Sequence, residues 1–171
     1  IYCLGLNEAV TQYIASKAIG EKPHRKNNDK ISIYTISDKY YPYLTSLVIQ
    51  LLFLVGEKNF VNSAIYGADT FENDLYNTFE ENTNKILNYF DDILDENNKI
   101  DRSEEKIIEL YLKTQKDMCT TYFDKIYSRV NTLKEVENYS HKLNEYQNII
   151  GKIIGQSQEN DELNKYIKNM E

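Results

Sequence analysis

Residues 43–55 read YLTSLVIQLLFLV, and from Leu47 to Val55 only Gln50 is polar. A stretch this apolar has to leave water. It is far shorter than the roughly 20 residues that cross a bilayer. A helix apolar nearly all round belongs at the centre of a domain, where neighbours cover every side. The sequence therefore predicts a central helix with Leu47, Val48, Leu51, Leu52, Leu54 and Val55 in the core. Ser37 or Asp38 is placed to cap it, Pro42 suits its first turn, and Gly56 follows its end.

The rest of the chain must supply that helix with partners. Six glycines and two prolines among 171 residues leave few breakers, which favours long helices over a turn-rich sheet protein. The periodicity predicts an all-α protein, a bundle of about six to seven helices with at most a short strand near 31–36. After the central helix, Glu57–Tyr66 forms a short helix with Phe60, Val61, Ala64 and Ile65 inward, stopped by Gly67. Asp69-x-x-Glu72 resembles a capping box. It opens a helix to about Asp95 carrying Phe71, Leu75, Phe79, Leu87, Phe90 and Leu94, with a polar bend over 80–85. Asp101-x-x-Glu104, or Ser103, starts a long amphipathic helix whose stripe is Ile107, Ile108, Tyr111, Met118, Cys119, Tyr122, Ile126 and Val130. Thr132-x-x-Glu135 signals a fresh start near Asn131. Val136, Tyr139, Leu143, Tyr146, Ile150 and Ile153 then form a seam out to about Ile154. Residues 155–160 read as a linker, and Leu163, Tyr166 and Ile167 as a short, frayed terminal helix. Residues 21–30 read as an exposed loop with a solvated basic spot at His24-Arg25-Lys26.

Charge excludes some functions. The net charge is −7, with residues 1–60 at +2 and residues 61–171 at −9. An acidic body argues against nucleic acid as a partner, because phosphate-backbone binding needs clustered positive charge. Cys3 and Cys119 are not a disulfide framework, and whether they pair is open. Asp91-Asp92, Asp95-Glu96 and Glu104-Glu105 lack calcium-loop spacing and read as a solvated acidic face.

Residues 5–20 are the one stretch that suggests chemistry. Asn7 can cap a helix that Gly20 ends. Glu8, Thr11, Gln12, Ala15 and Ile19 share a side, so a carboxylate heads a strip of small residues that lets a second helix approach. A covered carboxylate needs a cation, a donor or a metal. Acids are also common in a first helical turn, where the dipole favours them, and that reading needs no ligand.

Gly5-Leu6-Asn7-Glu8-Ala9-Val10-Thr11-Gln12-Tyr13 resembles the third-ligand helix of the gluzincin zinc metallopeptidases. The resemblance implies that Glu8 is a zinc ligand, with Asn7, Thr11 and Gln12 around it as supporting residues. Gln12 departs from the thermolysin-like version, which has an aspartate there. The resemblance further implies two histidines and a general-base glutamate from a His-Glu-x-x-His helix, and a peptide or protein substrate. The only histidines are His24 and His141, and neither lies in that motif. We therefore expect a fragment whose metal-binding helix lies upstream of Ile1, with zinc in the intact protein and none bound to this chain, which alone should not hydrolyse anything. Tyr66 and His24 are the weak catalytic candidates within it. Tyr40, Tyr41 and Tyr43 also lie downstream of Glu8, and amphipathic packing with the hydroxyl at the surface is the better explanation of each. The resemblance divides the chain into a gluzincin-like helical segment over 1–67 and an acidic helical extension over 68–171, together one compact unit. The rival expectations are a non-enzymatic helical interaction module using the amphipathic pair over 102–154, with helix-mediated self-association, and a degenerate peptidase-like domain.

Overall fold

A computed structural model describes residues 3–67, 69–154 and 160–170, without the side chains of residues 64, 65, 146, 147, 149–154, 162, 167 and 170. The fold is all-α apart from one small hairpin. In chain order it runs α1 (Leu4–Ala18), β1 (His24–Asn27), β2 (Ser32–Thr35), α2 (Pro42–Val55), α3 (Lys58–Tyr66), α4 (Thr70–Phe79), a 3-10 turn (Glu80–Asn82), α5 (Thr83–Asn97), α6 (Glu104–Tyr127), α7 (Leu133–Ile154) and α8 (Asp161–Met170).

Helix α2 is central, as its composition demands. It packs on α1, α6 and β2, and Leu47, Val48, Leu51, Leu52 and Leu54 are buried, with Val55 half-buried at the end. Three polar residues of α2, Thr45, Ser46 and Gln50, are buried as well, and the last two meet α6. The Gln50 amide donates to the Tyr111 hydroxyl at 3.4 Å, and that hydroxyl also meets the Ser46 hydroxyl at 2.9 Å. Helix α5 forms the other half of the core, between α1 and α6. Its Ile86, Leu87, Phe90, Ile93 and Leu94 are all buried.

The predicted strand at 31–36 exists, and its partner is the segment read as an exposed loop. His24–Asn27 pairs antiparallel with Ser32–Thr35. Asn28 makes the turn, its side-chain oxygen accepting the Lys30 and Ile31 amides at 2.8 Å each. Polarity hid β1: its outer edge faces water, and only β2 buries apolar residues, with Ile33 buried inside the strand and Ile31 and Ile36 just beyond its ends.

Elsewhere the differences lie at helix ends. The predicted bend over 80–85 is a complete break between α4 and α5. Glu80 adopts φ 49°, held by Lys125 and Arg129 at 3.1 Å each. The Asp69 cap makes no side-chain hydrogen bond, and Ser63 Oγ accepts the Phe71 amide at 2.9 Å instead. The Thr132–Glu135 capping box does form, with the Glu135 amide on Thr132 Oγ1 at 3.2 Å and the Thr132 amide on Glu135 Oε2 at 2.8 Å. The stripe on α6 includes Phe123, which the periodic pattern passed over and which is fully buried. Val61 and Val136 are exposed rather than inward. The predicted seam positions Tyr146, Ile150 and Ile153, and the inward Ala64, Ile65 and Ile167, lie outside the described side chains. Helix α8 is anchored rather than frayed. Leu163 is buried, and Asn160 donates to Gln115 Oε1 at 2.8 Å while accepting the Leu163 amide at 3.2 Å.

Glu96 ties α5 to α6. Its carboxylate accepts Lys99 at 2.8 Å, the Ser103 amide at 2.9 Å and Lys106 at 3.4 Å. These donors, Lys99 foremost, hold its pKa down from 4.5 to about 2. The unfolded chain therefore binds this proton more tightly than the fold does. The stabilisation is present above pH 4.5 and is lost as pH falls toward 2. Glu96→Gln should be less stable at neutral pH and should lose this part of the acid dependence. Urea unfolding followed across that window checks it, and an unchanged slope would contradict it.

Candidate functional site

Helix α1 starts earlier than Asn7. Cys3 is its N-cap, with Sγ accepting the Leu6 amide at 3.4 Å, and Asn7 is an exposed residue inside the helix. Sulfur is an uncommon cap, which is why Asn7 was the natural choice. The far end follows the sequence. Gly20 takes φ 83°, its amide bonds Lys17 O at 3.0 Å, and the Glu21 amide bonds Ser16 O at 3.0 Å. This doubly bonded glycine stop satisfies carbonyls the helix would otherwise leave open.

The first turn of α1 is fixed by α5. Asp91 Oδ1 accepts the Gly5 amide at 2.7 Å and the Cys3 thiol at 3.4 Å. A methyl group on Gly5 would stand 2.3 Å from the Phe90 carbonyl carbon, so the two backbones touch at this point. Burial, with help from Asp91, pushes the Cys3 thiol up to about 11. Cys119 is likewise buried, and neither cysteine is in a disulfide.

This contact decides which side of α1 is covered. The buried face is Gly5, Leu6, Ala9, Tyr13 and Ser16. The small residues that allow close approach are thus on that face, not on the strip that Glu8 heads. Thr11, Ala15 and Ile19 of that strip are exposed, and Glu8 is half-buried. Among the described residues, Glu8 has no hydrogen bond or ion pair. Gln12 is half-buried and donates along its own helix to Ser16 Oγ at 3.2 Å. Asn7, Thr11 and Gln12 make no hydrogen bond to Glu8.

The other candidates stand apart from it. His24 is committed to the hairpin: Nε2 meets Asp38 Oδ1 at 2.6 Å and Nδ1 meets Lys22 O at 2.9 Å. The Lys22 carbonyl and then the Asp38 carboxylate raise its pKa. Tyr66 is 78% exposed at the end of α3. Tyr40 is exposed, Tyr41 donates to Asn98 Oδ1 at 3.3 Å, and Tyr43 donates to Glu104 Oε1 at 3.0 Å. His141 pairs with Glu145 one helical turn on, at 3.0 Å, facing solvent.

Glu8 could give a metal ion one oxygen. Among the described residues, no group of three or more His, Cys, Asp or Glu side chains is placed to hold one. By themselves these residues do not fit a zinc ion; Glu8 fits only as one member of a larger set. Reasoning from sequence missed Cys3, Gly5 and Asp91. The available signals were a glycine inside a helical pattern, which often marks close packing, and an acid on the facing helix. No protein-family model, curated protein or solved structure matches the chain. No helix among the described residues is long and apolar enough to cross a membrane.

Proposed function

We propose that this chain is the C-terminal part of a zinc-dependent peptidase similar to the gluzincins, to which it contributes Glu8 as a single carboxylate ligand. Two histidines and the general base come from a segment ahead of Ile1, and the substrate is a peptide or protein. The observation that carries this reading is the state of Glu8. Its carboxylate is half-buried and makes no hydrogen bond or ion pair among the described residues, so both oxygens are open to a ligand. It stands beside Thr11 and Ala15, which are exposed among the described residues, so a further helix has room there. Asp91 and Gly5 fix that helix from behind. The reading rests otherwise on the sequence resemblance.

The test uses a longer form of the protein that includes the residues encoded ahead of Ile1. A His-Glu-x-x-His motif should occur there, and the protein should carry about one zinc ion per chain, lost together with peptidase activity in Glu8→Gln. A longer wild-type protein without zinc overturns the proposal. A helical interaction module, self-associating or binding a partner helix, is then the better reading, or a degenerate peptidase-like domain. An apolar groove between α6 and α7 lined by Tyr122, Ile126, Val130 and Tyr139 favours the module.

A further inference from the structure

We infer that the cleft between the β-hairpin and the α5–α6 turn binds a small anionic ligand, bearing carboxylate or phosphate. This goes beyond the peptidase reading and does not depend on it, since no residue of α1 lines the cleft. The cleft holds about 350 Å³, the lower end of the range for small-molecule sites. Lys26, Lys39 and Arg102 line it, over a floor that includes Tyr41, Pro42 and Tyr43.

Two carboxylates, Asp38 and Glu104, line it as well, and both are already engaged. Asp38 Oδ1 is held by His24 at 2.6 Å. Glu104 Oε1 accepts the Tyr43 hydroxyl at 3.0 Å and the Asn28 amide group at 3.1 Å. The cations are not paired in return. Lys26 donates to the backbone carbonyl of Asp38, not to a carboxylate. Neither Lys39 nor Arg102 has a hydrogen bond or ion pair among the described residues. Lys26, Lys39 and Arg102 against Asp38 and Glu104 leave the lining at a formal charge of +1 in a chain of net charge −7, with none of the three cations paired to a carboxylate among the described residues. Low-dielectric walls on either side strengthen their combined field on an anion.

The walls are also cross-tied. Tyr41 reaches Asn98 at 3.3 Å, Asn28 reaches Glu104 at 3.1 Å, and Lys30 reaches Glu105 at 2.5 Å, each spanning from the hairpin side to the α5–α6 turn. A cleft held open in this way loses little freedom when it is filled.

Titration of isotope-labelled protein at constant ionic strength tests the inference. One series uses inorganic phosphate, another a glutamate-rich hexapeptide, with chloride as the reference. Saturable amide shifts are expected at Lys26, at residues 39–43 and at Arg102. Lys39→Gln with Arg102→Gln, both exposed and outside the core, should weaken binding about tenfold, the scale of two exposed charge pairs. Saturation by phosphate alone or by the peptide alone supports the site and names the source of the anion. Shifts that do not saturate in either series, or that persist unchanged in the double variant, overturn it.

Discussion

Gly5→Ala is expected to destabilise the protein by roughly 3 kcal/mol, as overpacking against rigid neighbours does. In an ordinary helix the same change is favourable by about 1 kcal/mol, because alanine is the better helix former. The sign reverses here because the new methyl would meet the Phe90 carbonyl carbon and oxygen at 2.3 Å and the Asp91 amide nitrogen at 2.5 Å. These are backbone atoms, so no rotamer change relieves the clash. Helix α1 must lift, and the Asp91 bonds to Gly5 and Cys3 lengthen with it. For a chain of this size the loss corresponds to a melting point lower by about 6–12 °C. Thermal unfolding measures it. A Gly5→Ala protein as stable as wild type would mean that α1 does not seat on Phe90.

Phe123→Ala should cost about 3–5 kcal/mol, the range for removing a buried phenyl ring. Phe123 is fully buried and stands edge-on to Tyr122, at 5.1 Å between ring centres, and to Tyr139 of α7 at 6.0 Å. Removing it opens a cavity and takes away an aromatic contact between α6 and α7. Cleavage within α7 under limited proteolysis should speed up along with the fall in stability. Phe123→Leu retains most of the volume and should lose much less, about 1 kcal/mol. A loss below about 1 kcal/mol for Phe123→Ala would place the ring outside the core.

The core was legible wherever one face of an element is apolar. Leu47, Val48, Leu51, Leu52 and Leu54 on α2, and Phe71, Phe79, Phe90 and Leu94 on α4 and α5, are buried as predicted. The Thr132–Glu135 box was legible because both of its partners lie four residues or fewer apart in the chain. What could not be read depends on partners distant in sequence. Asp91 caps α1 from 86 residues away. The strand His24–Asn27 looks like a loop because its side chains are polar and its pairing with β2 does not show in its pattern of apolar residues. Phe123 follows Tyr122 directly, and a pattern with room for one of the two took the ring that is only half-buried.

The candidate site was half legible for the same reason. Glu8 was identifiable from its motif, but which face of α1 is covered follows from Gly5, and only the position of Phe90 reveals that. Small residues occur on both sides of the helix. The side that carries glycine opposite a backbone is the buried one, and Glu8 falls at its margin.

The two buried thiols turn the protein into its own opening gauge. Alkylating reagents attack the thiolate, and Cys3, with its pKa pushed up to about 11 beneath Asp91, offers almost none while α1 is seated. Its labelling rate therefore counts how often α1 leaves α5. Cys119 lies fully buried on α6. It becomes reachable only when that deeper layer parts, an event that draws on more of the total stability than the release of one helix end. Labelling at the two positions reads a local and a wider opening separately, without any residue having to be added.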